Sequence, residues 1–236
     1  MSYNRILLKI SGEALKGKRD HGIDPAFTHE LALEIQKIHK KNIQIAIVIG
    51  GGNIFRGAKA EANGMDRTLA DYTGMLATIM NGLALQDAFK KTGISSHVLS
   101  ALDIPQVCEN YNKREGVEYL EKGEIVICVG GTGNPYFSTD SAAALRAIEL
   151  ECDIIMKGTK VDGVYDKDPM QFPEAHLYTT LSFDQVIEQN IKIMDQTAFT
   201  LCKENNMPIK VFNVTHLENI ERAILEDGFG TKISGS

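Results

Sequence analysis

Ile43-Gln44-Ile45-Ala46-Ile47-Val48-Ile49-Gly50-Gly51-Gly52-Asn53 reads as an apolar run ending in three successive glycines. Such a run is apolar on both faces, as a strand enclosed in a parallel sheet must be. The same grammar recurs on either side. Arg5 to Ile10 leads into Ser11-Gly12, and Glu124 to Val129 leads into Gly130-Gly131-Thr132-Gly133-Asn134. Further strand-like runs stand at Ser96 to Ser100, Ile154 to Lys157 and Pro208 to Val214. Helical patterns fill the intervals. Phe27, Leu31, Ile35 and Ile38 repeat at helical spacing behind Asp24-Pro25, an N-cap followed by proline at the first helical position. Longer helices are predicted from about Thr68 to Lys91 and from about Ser138 to Glu151, and shorter ones near Glu115 to Lys122, Ser182 to Gln189, Asp195 to Asn205 and Leu217 to Glu226. Strand and helix in alternation predict an α/β fold, a largely parallel sheet covered by helices on both faces.

The bulk properties narrow the function. The chain has 236 residues and is 43% hydrophobic, enough for a sizeable core, and it reads as a single unit over residues 1–236 without linker or repeat. A net charge of -6 provides no broad positive field, which argues against nucleic acid as a partner. Cys108, Cys128, Cys152 and Cys202 lie far apart, without the spacing of a zinc site, and read as reduced, buried thiols. Met1 to Ile10 lacks the apolar core and cleavage site of a signal peptide, and no stretch approaches the roughly 18 apolar residues of a membrane span. A cytoplasmic location without membrane attachment is expected.

Ligands of open α/β sheets bind beyond the carboxyl ends of the strands. Glycine after one strand is an ordinary tight turn; three glycine-rich loops at strand ends favour a polyphosphate cradle of backbone N–H groups. Two familiar alternatives fail. Gly12 to Arg19 nearly matches a P-loop, but Arg19 replaces the magnesium-binding hydroxyl and Asp20-His21-Gly22 continues as loop. The dinucleotide fingerprint fails because Phe55 stands where the third glycine is needed.

Lys9-Ile10-Ser11-Gly12-Glu13, Gly50-Gly51-Gly52-Asn53, Gly131-Thr132-Gly133-Asn134-Pro135 and Lys160-Val161-Asp162-Gly163-Val164-Tyr165, taken in order, resemble the amino acid kinase superfamily across nearly the whole chain. Within it, Met65-Asp66-Arg67, Ala70 to Thr78 and Pro135 to Ala143 resemble the bacterial UMP kinase branch; relatives acting on small acids or carbamate share the ATP motifs and differ here. The resemblance implies a three-layer α/β/α sandwich around a sheet of about eight strands, a homohexamer, and transfer of the ATP γ-phosphoryl group to UMP. It also implies activation by GTP and inhibition by UTP. A kinase for a small acid and a nucleotide-binding regulator without turnover are the competing readings.

The resemblance also implies roles residue by residue. Lys9, Asp140 and Arg56 are the candidate catalytic set, Asp140 holding the active-site lysine. Lys9, Ile10, Ser11, Gly12, Gly52, Arg56, Thr159, Tyr165 and Asp168 are expected around ATP, the last two near its adenosine end. Gly51, Asp71 and the run Thr132, Gly133, Asn134, Pro135, Tyr136, Phe137, Ser138 and Thr139 are expected around UMP. Gly17, Lys18, Arg19, Asp20, His21 and Gly22 correspond to a segment linked to GTP activation, a solvated loop being the equal alternative. Read without the family, a lone strand Lys snorkels at the surface, Arg56 is an exposed helix charge, Asp140 complements a helix dipole and Asp195 is an N-cap. No general base is needed, since a phosphate with a second pKa of about 6 is already largely deprotonated near neutral pH. No dedicated metal ligand stands out, so Mg²⁺ is expected to arrive on ATP, held by its phosphates and water.

Overall fold

The computed structural model describes residues 3–235; Met1 and Ser2, at the start of the N-terminal run read above, and Ser236 lie outside the described residues. The chain opens with β1 (Arg5–Ile10), a single helical turn α1 (Gly12–Leu15), α2 (Pro25–His39) and β2 (Gln44–Ile49). Then come α3 (Gly57–Ala62), α4 (Arg67–Lys91), β3 (Ser96–Ser100), β4 (Glu109–Asn110), α5 (Lys113–Glu121) and β5 (Ile125–Val129). The remaining elements are α6 (Thr139–Glu149), β6 (Ile154–Thr159), β7 (Val164–Tyr165), β8 (Leu177–Tyr178), β9 (Thr180–Ser182), α7 (Phe183–Glu188), α8 (Gln196–Glu204), β10 (Ile209–Asn213), α9 (Asn219–Leu225) and β11 (Thr231–Ser234).

Among the described residues the main sheet has nine strands, in the order β4-β3-β5-β2-β1-β6-β10-β11-β9, close to the roughly eight the family resemblance implied. All its pairings are parallel except β10 with β11. β7 and β8 form a separate small ribbon. Side chains alternate across a strand, and the alternation divides the core. Ile6, Leu8 and Ile10 face the layer of α2, α4 and α9. Leu7 faces the layer of α5, α6 and α8. The two layers account for the three-layer sandwich.

Local chemistry fixes the ends of the helices. Asp24 caps α2 by accepting from the Ala26 N–H, with Pro25 at the first helical position. Asp66 caps α4 through Leu69 N–H, and Ser182 with Gln185 forms a capping box on α7. The stretch that nearly matched a P-loop does open a helical turn, at Gly12–Leu15, but Asp20 to Gly22 is not helical.

Candidate active site

The central strands β1 and β6 bring two lysines together. They pair in parallel with Lys9 directly opposite Lys157. Lys9 follows Leu7 in the alternation, so both ammonium groups rise on the α6 side of the sheet. Two like charges directly opposed are unfavourable, and Asp140 relieves the conflict. Its Oδ1 lies 2.8 Å from Lys9 Nζ and its Oδ2 2.6 Å from Lys157 Nζ. Lys157 Nζ also donates to the Ile193 carbonyl at 2.6 Å. All three side chains are largely enclosed, at 13%, 17% and 10% exposure for Lys9, Asp140 and Lys157. Burial by itself would raise the Asp140 carboxyl, but the charges of Lys9 and Lys157 outweigh it and hold the group below its ordinary range. Burial pushes Lys157 below its usual value, with Lys9 adding to the fall and Asp140 opposing it.

The N-terminus of α6 places Asp140. Ser138 is the N-cap, its Oγ accepting from the N–H groups of Asp140 and Ser141. Its own hydroxyl donates to Asp195 Oδ2, and Ser141 Oγ donates to Asp195 Oδ1 at 3.1 Å. Asp195 meanwhile caps α8 through Ala198 N–H. Asp195 is therefore the N-cap read from the sequence and also a bridge between the starts of α6 and α8.

Two large cavities open beyond the strand ends. One, about 870 Å³, is lined by Lys9, Ser11, Lys18, Lys157 and Thr159, and by Thr215 to Glu218 beyond β10. The other, about 730 Å³, lies between Gly51-Gly52 and α4, with Arg56, Arg67, Asp71, Gly131 and Tyr136 to Thr139 on its walls. A smaller cavity of about 490 Å³ touches both sets: it shares Glu13 with the first and Gly52 and Arg56 with the second. Arg56 donates to Glu13 Oε1 from Nε at 3.0 Å and from Nη2 at 2.7 Å. Glycine is required where these loops close up. A Cβ on Gly12 would overlap the Gly50 carbonyl, and one on Gly51 would stand 2.7 Å from the Gly74 carbonyl and 2.8 Å from Ala77 Cβ.

Asp71 is committed to the loop in front of it. Its Oδ2 accepts from Arg67 Nε at 2.8 Å and from Tyr136 N–H at 2.7 Å. Tyr136 is held at φ 71°, a left-handed conformation that costs a bulky residue energy and is seen where surrounding structure enforces it. Arg67 lies over its ring, 5.1 Å from the centroid.

The remaining predicted residues separate. Ile10 is buried and Gly12 packs against Gly50. Gly52 and Arg56, both assigned by resemblance to the ATP side, line the α4 cavity instead and not the Lys9 cavity. Tyr165 and Asp168 are not among the residues lining the Lys9 cavity; Asp168 accepts from Met170 N–H and Gln171 Nε2 within its own loop. Thr132 and Asn134 line a further cavity of about 650 Å³ between α6 and α8, which shares Phe137 with the α4 cavity. Gly133 and Pro135 link these walls in the chain. The segment 17–22 is divided: Gly17 and Lys18 face the Lys9 cavity, Asp20 and His21 the small shared one. Arg19 donates to the Ile23 carbonyl and Gly22 bonds to Asn53. Sequence reasoning passed over Lys157, Glu13 and the bridging role of Asp195.

A largely parallel sheet carrying paired lysines and glycine loops between two cavities suits the transfer of a phosphoryl group between two small molecules. The model of the amino acid kinase family matches residues 4–213, and the chain belongs to that family. Among solved structures, a UMP kinase from Bacillus anthracis is 38% identical, with a TM-score of 0.95 and coverage of 99% of this chain and 97% of the other. A UMP kinase from Ureaplasma parvum is 42% identical, TM-score 0.91, covering 99% and 100%. A uridylate kinase from Archaeoglobus fulgidus is 28% identical, TM-score 0.74, covering 97% and 99%.

Proposed function

We propose that this chain is a UMP kinase, transferring the γ-phosphoryl group of ATP to UMP to give UDP and ADP in pyrimidine nucleotide synthesis. The observation that carries the reading is the enclosed Lys9–Asp140–Lys157 cluster beside two nucleotide-sized cavities, in a chain that aligns end to end with UMP kinases. ATP would occupy the Lys9 cavity and UMP the α4 cavity. Phosphoryl transfer needs alignment and charge neutralisation more than covalent help. Lys9 supplies fixed positive charge to the moving group, Asp140 orients Lys9 and Lys157, and the N–H groups of the glycine loops receive phosphate oxygens. Arg56 leaves Glu13 to meet the UMP phosphate. Asp71, with both protein bonds on Oδ2, keeps Oδ1 for a ribose hydroxyl.

Among the described residues no group of three or more His, Cys, Asp or Glu is arranged to hold a metal ion. Mg²⁺ is read as part of the ATP substrate, held by its phosphates and water. The same family reading brings a homohexamer, activation by GTP and inhibition by UTP. The free cysteines, three of them buried, fit the reducing cytoplasm; separately, no described helix is long and apolar enough to cross a membrane. Incubating the protein with ATP and UMP, and in parallel with CMP, AMP, carbamate and acetylglutamate, tests the function. UDP as the dominant product is expected. Preference for a small acid, or binding without turnover, would overturn the assignment.

A further inference from the structure

Asn53 and Asn81 are nearly sealed from solvent, at 3% and 0% exposure, and the chemistry above uses neither. Each satisfies the other. Asn81 Nδ2 donates to Asn53 Oδ1 at 2.8 Å and to the Gly50 carbonyl at 2.7 Å. Asn53 Nδ2 donates back to Asn81 Oδ1 at 2.9 Å and outward to the Gly22 carbonyl at 2.9 Å. The Gly22 N–H closes the circuit on the Asn53 carbonyl at 2.8 Å. From the other side Gly12 packs so tightly that a Cβ there would overlap the Gly50 carbonyl and Asn53 Oδ1.

One amide pair thus touches three segments at once. These are the turn after β1, the glycine loop after β2 and the end of the 17–22 segment, all anchored to the middle of α4. Replacing two mutually bonded buried amides by apolar groups of similar shape is nearly neutral only where no third group depends on them, and here the Gly50 and Gly22 carbonyls do. An apolar pair would fill the same space but would leave the Gly50 carbonyl undirected. A fully satisfied buried network fixes geometry in a way apolar packing does not.

We infer that Asn53 and Asn81 are positioning residues that set the Ser11-Gly12 loop against the Gly50–Gly52 loop, and so hold donor and acceptor in line. The inference rests on the UMP kinase reading. Neither residue touches substrate; a shift of about 1 Å in one loop can cost about a hundredfold in rate while each nucleotide still binds.

The test compares steady-state kinetics, UMP titration and thermal unfolding for the full chain and its Asn81→Ala, Asn81→Asp, Asn53→Ala and Gln36→Ala variants. Asn81→Ala should lose about 10- to 100-fold in kcat, with KM for ATP and UMP within about threefold of wild type. Asn81→Asp retains the shape but cannot donate to Gly50, and should be as slow. Gln36→Ala loses a comparable bond between α2 and the end of α4, to the Thr92 carbonyl at 2.7 Å, away from the cavities. It should keep wild-type kcat. If Asn81→Ala does not fold, Asn53→Ala decides, with about a tenfold fall in kcat expected. Wild-type kcat in the folded Asn variants, or an equal fall in Gln36→Ala, would reduce the pair to packing and overturn the inference alone. Failure of the wild type to phosphorylate UMP would remove the functional reading and this inference together.

Discussion

Lys9 and Arg56 each face a carboxylate near the strand ends, yet the two pairs are built differently. Lys9 stands on a central strand between packed layers and is 13% exposed, its partner Asp140 17%. Arg56 leaves the chain at the N-cap of the short helix α3 and is 61% exposed, although its partner Glu13 is only 17% exposed. Burial would raise Glu13, but Arg56 and Lys16 hold it below the ordinary carboxylate range. A pair with one partner in solvent is held less firmly than one enclosed on both sides. An enclosed cation cannot follow a moving ligand; it presents charge at one fixed point, where transition-state stabilisation needs it. On the proposed function, the contrast reads as a division of labour, with charge for the chemical step on the sheet and charge for capture on a loop.

Lys9→Ala should break this contrast most visibly. We expect kcat to fall by about 10² to 10³, with UMP affinity by direct titration nearly unchanged. Arg56→Ala should do the converse, raising KM for UMP about tenfold with a smaller change in kcat. If both variants altered KM and kcat in the same proportion, the division would be wrong.

Asp140 sharpens the comparison through pH. Its folded-state value is depressed below the ordinary 3.8. The stability it contributes is therefore complete above about pH 4 and is lost as the pH falls through the lower folded-state value. Asp140→Asn leaves Lys9 and Lys157 facing each other without a counter-charge, a loss of about 3 to 5 kcal/mol for a broken buried pair. The Tm gap between wild type and Asp140→Asn should be wide at pH 7 and narrow in acid. A gap that stayed constant down to pH 2 would mean that the carboxylate charge is not what holds the cluster.

The central strands and the longer helices were legible because each carries its own signal: an apolar run closed by glycine, or an apolar stripe behind Asp24-Pro25. The strands β4, β7, β8, β9 and β11, two to four residues long, and the short helices α1 and α3 carry no such pattern, and pairing or packing defines them. The site shows the same division. Lys9 reads as functional beside its Ser11-Gly12 turn, whereas Lys157 closes the run Ile154 to Lys157 and is followed by the single Gly158 rather than by a run of glycines. Only the register of β1 on β6 sets it opposite Lys9. Its one sequence signal is a lysine closing an apolar run, as Lys9 nearly does. Glu13 and Asn81 sit in helices among ordinary surface and core patterns, and their partners are distant in the chain.

Asp71 tests the acceptor side alone. With Oδ1 on the ribose, deoxy-UMP should be a poorer acceptor by very roughly 10- to 100-fold, since a charged hydrogen bond contributes about 1.5 to 3 kcal/mol. Asp71→Ala should draw the two substrates together. Because Oδ2 also anchors Tyr136 and Arg67, the mutant should lose some efficiency on both. An equal loss on both, with their ratio preserved, would leave Asp71 as a loop anchor only.

The smallest effect is expected from the 17–22 segment. Lys18 faces the cavity assigned to ATP, and Arg19 is tied to the Ile23 carbonyl. Asp20 and His21 face the small cavity that Glu13 and Arg56 share, while Gly22 is bonded to Asn53 behind the glycine loop. A nucleotide phosphate meeting this segment would therefore pull on the loops of both substrates rather than on a remote surface. Lys18→Ala with Arg19→Ala should reduce any stimulation by GTP about two- to fivefold, at or below the low end of typical allosteric coupling. Basal kcat should stay within about twofold, because neither side chain reaches the Lys9–Asp140–Lys157 cluster. Velocity measured against GTP at fixed ATP and UMP separates the outcomes. An unchanged GTP response would detach the segment from regulation, and a rise in KM for ATP alone would assign Lys18 to the donor cavity.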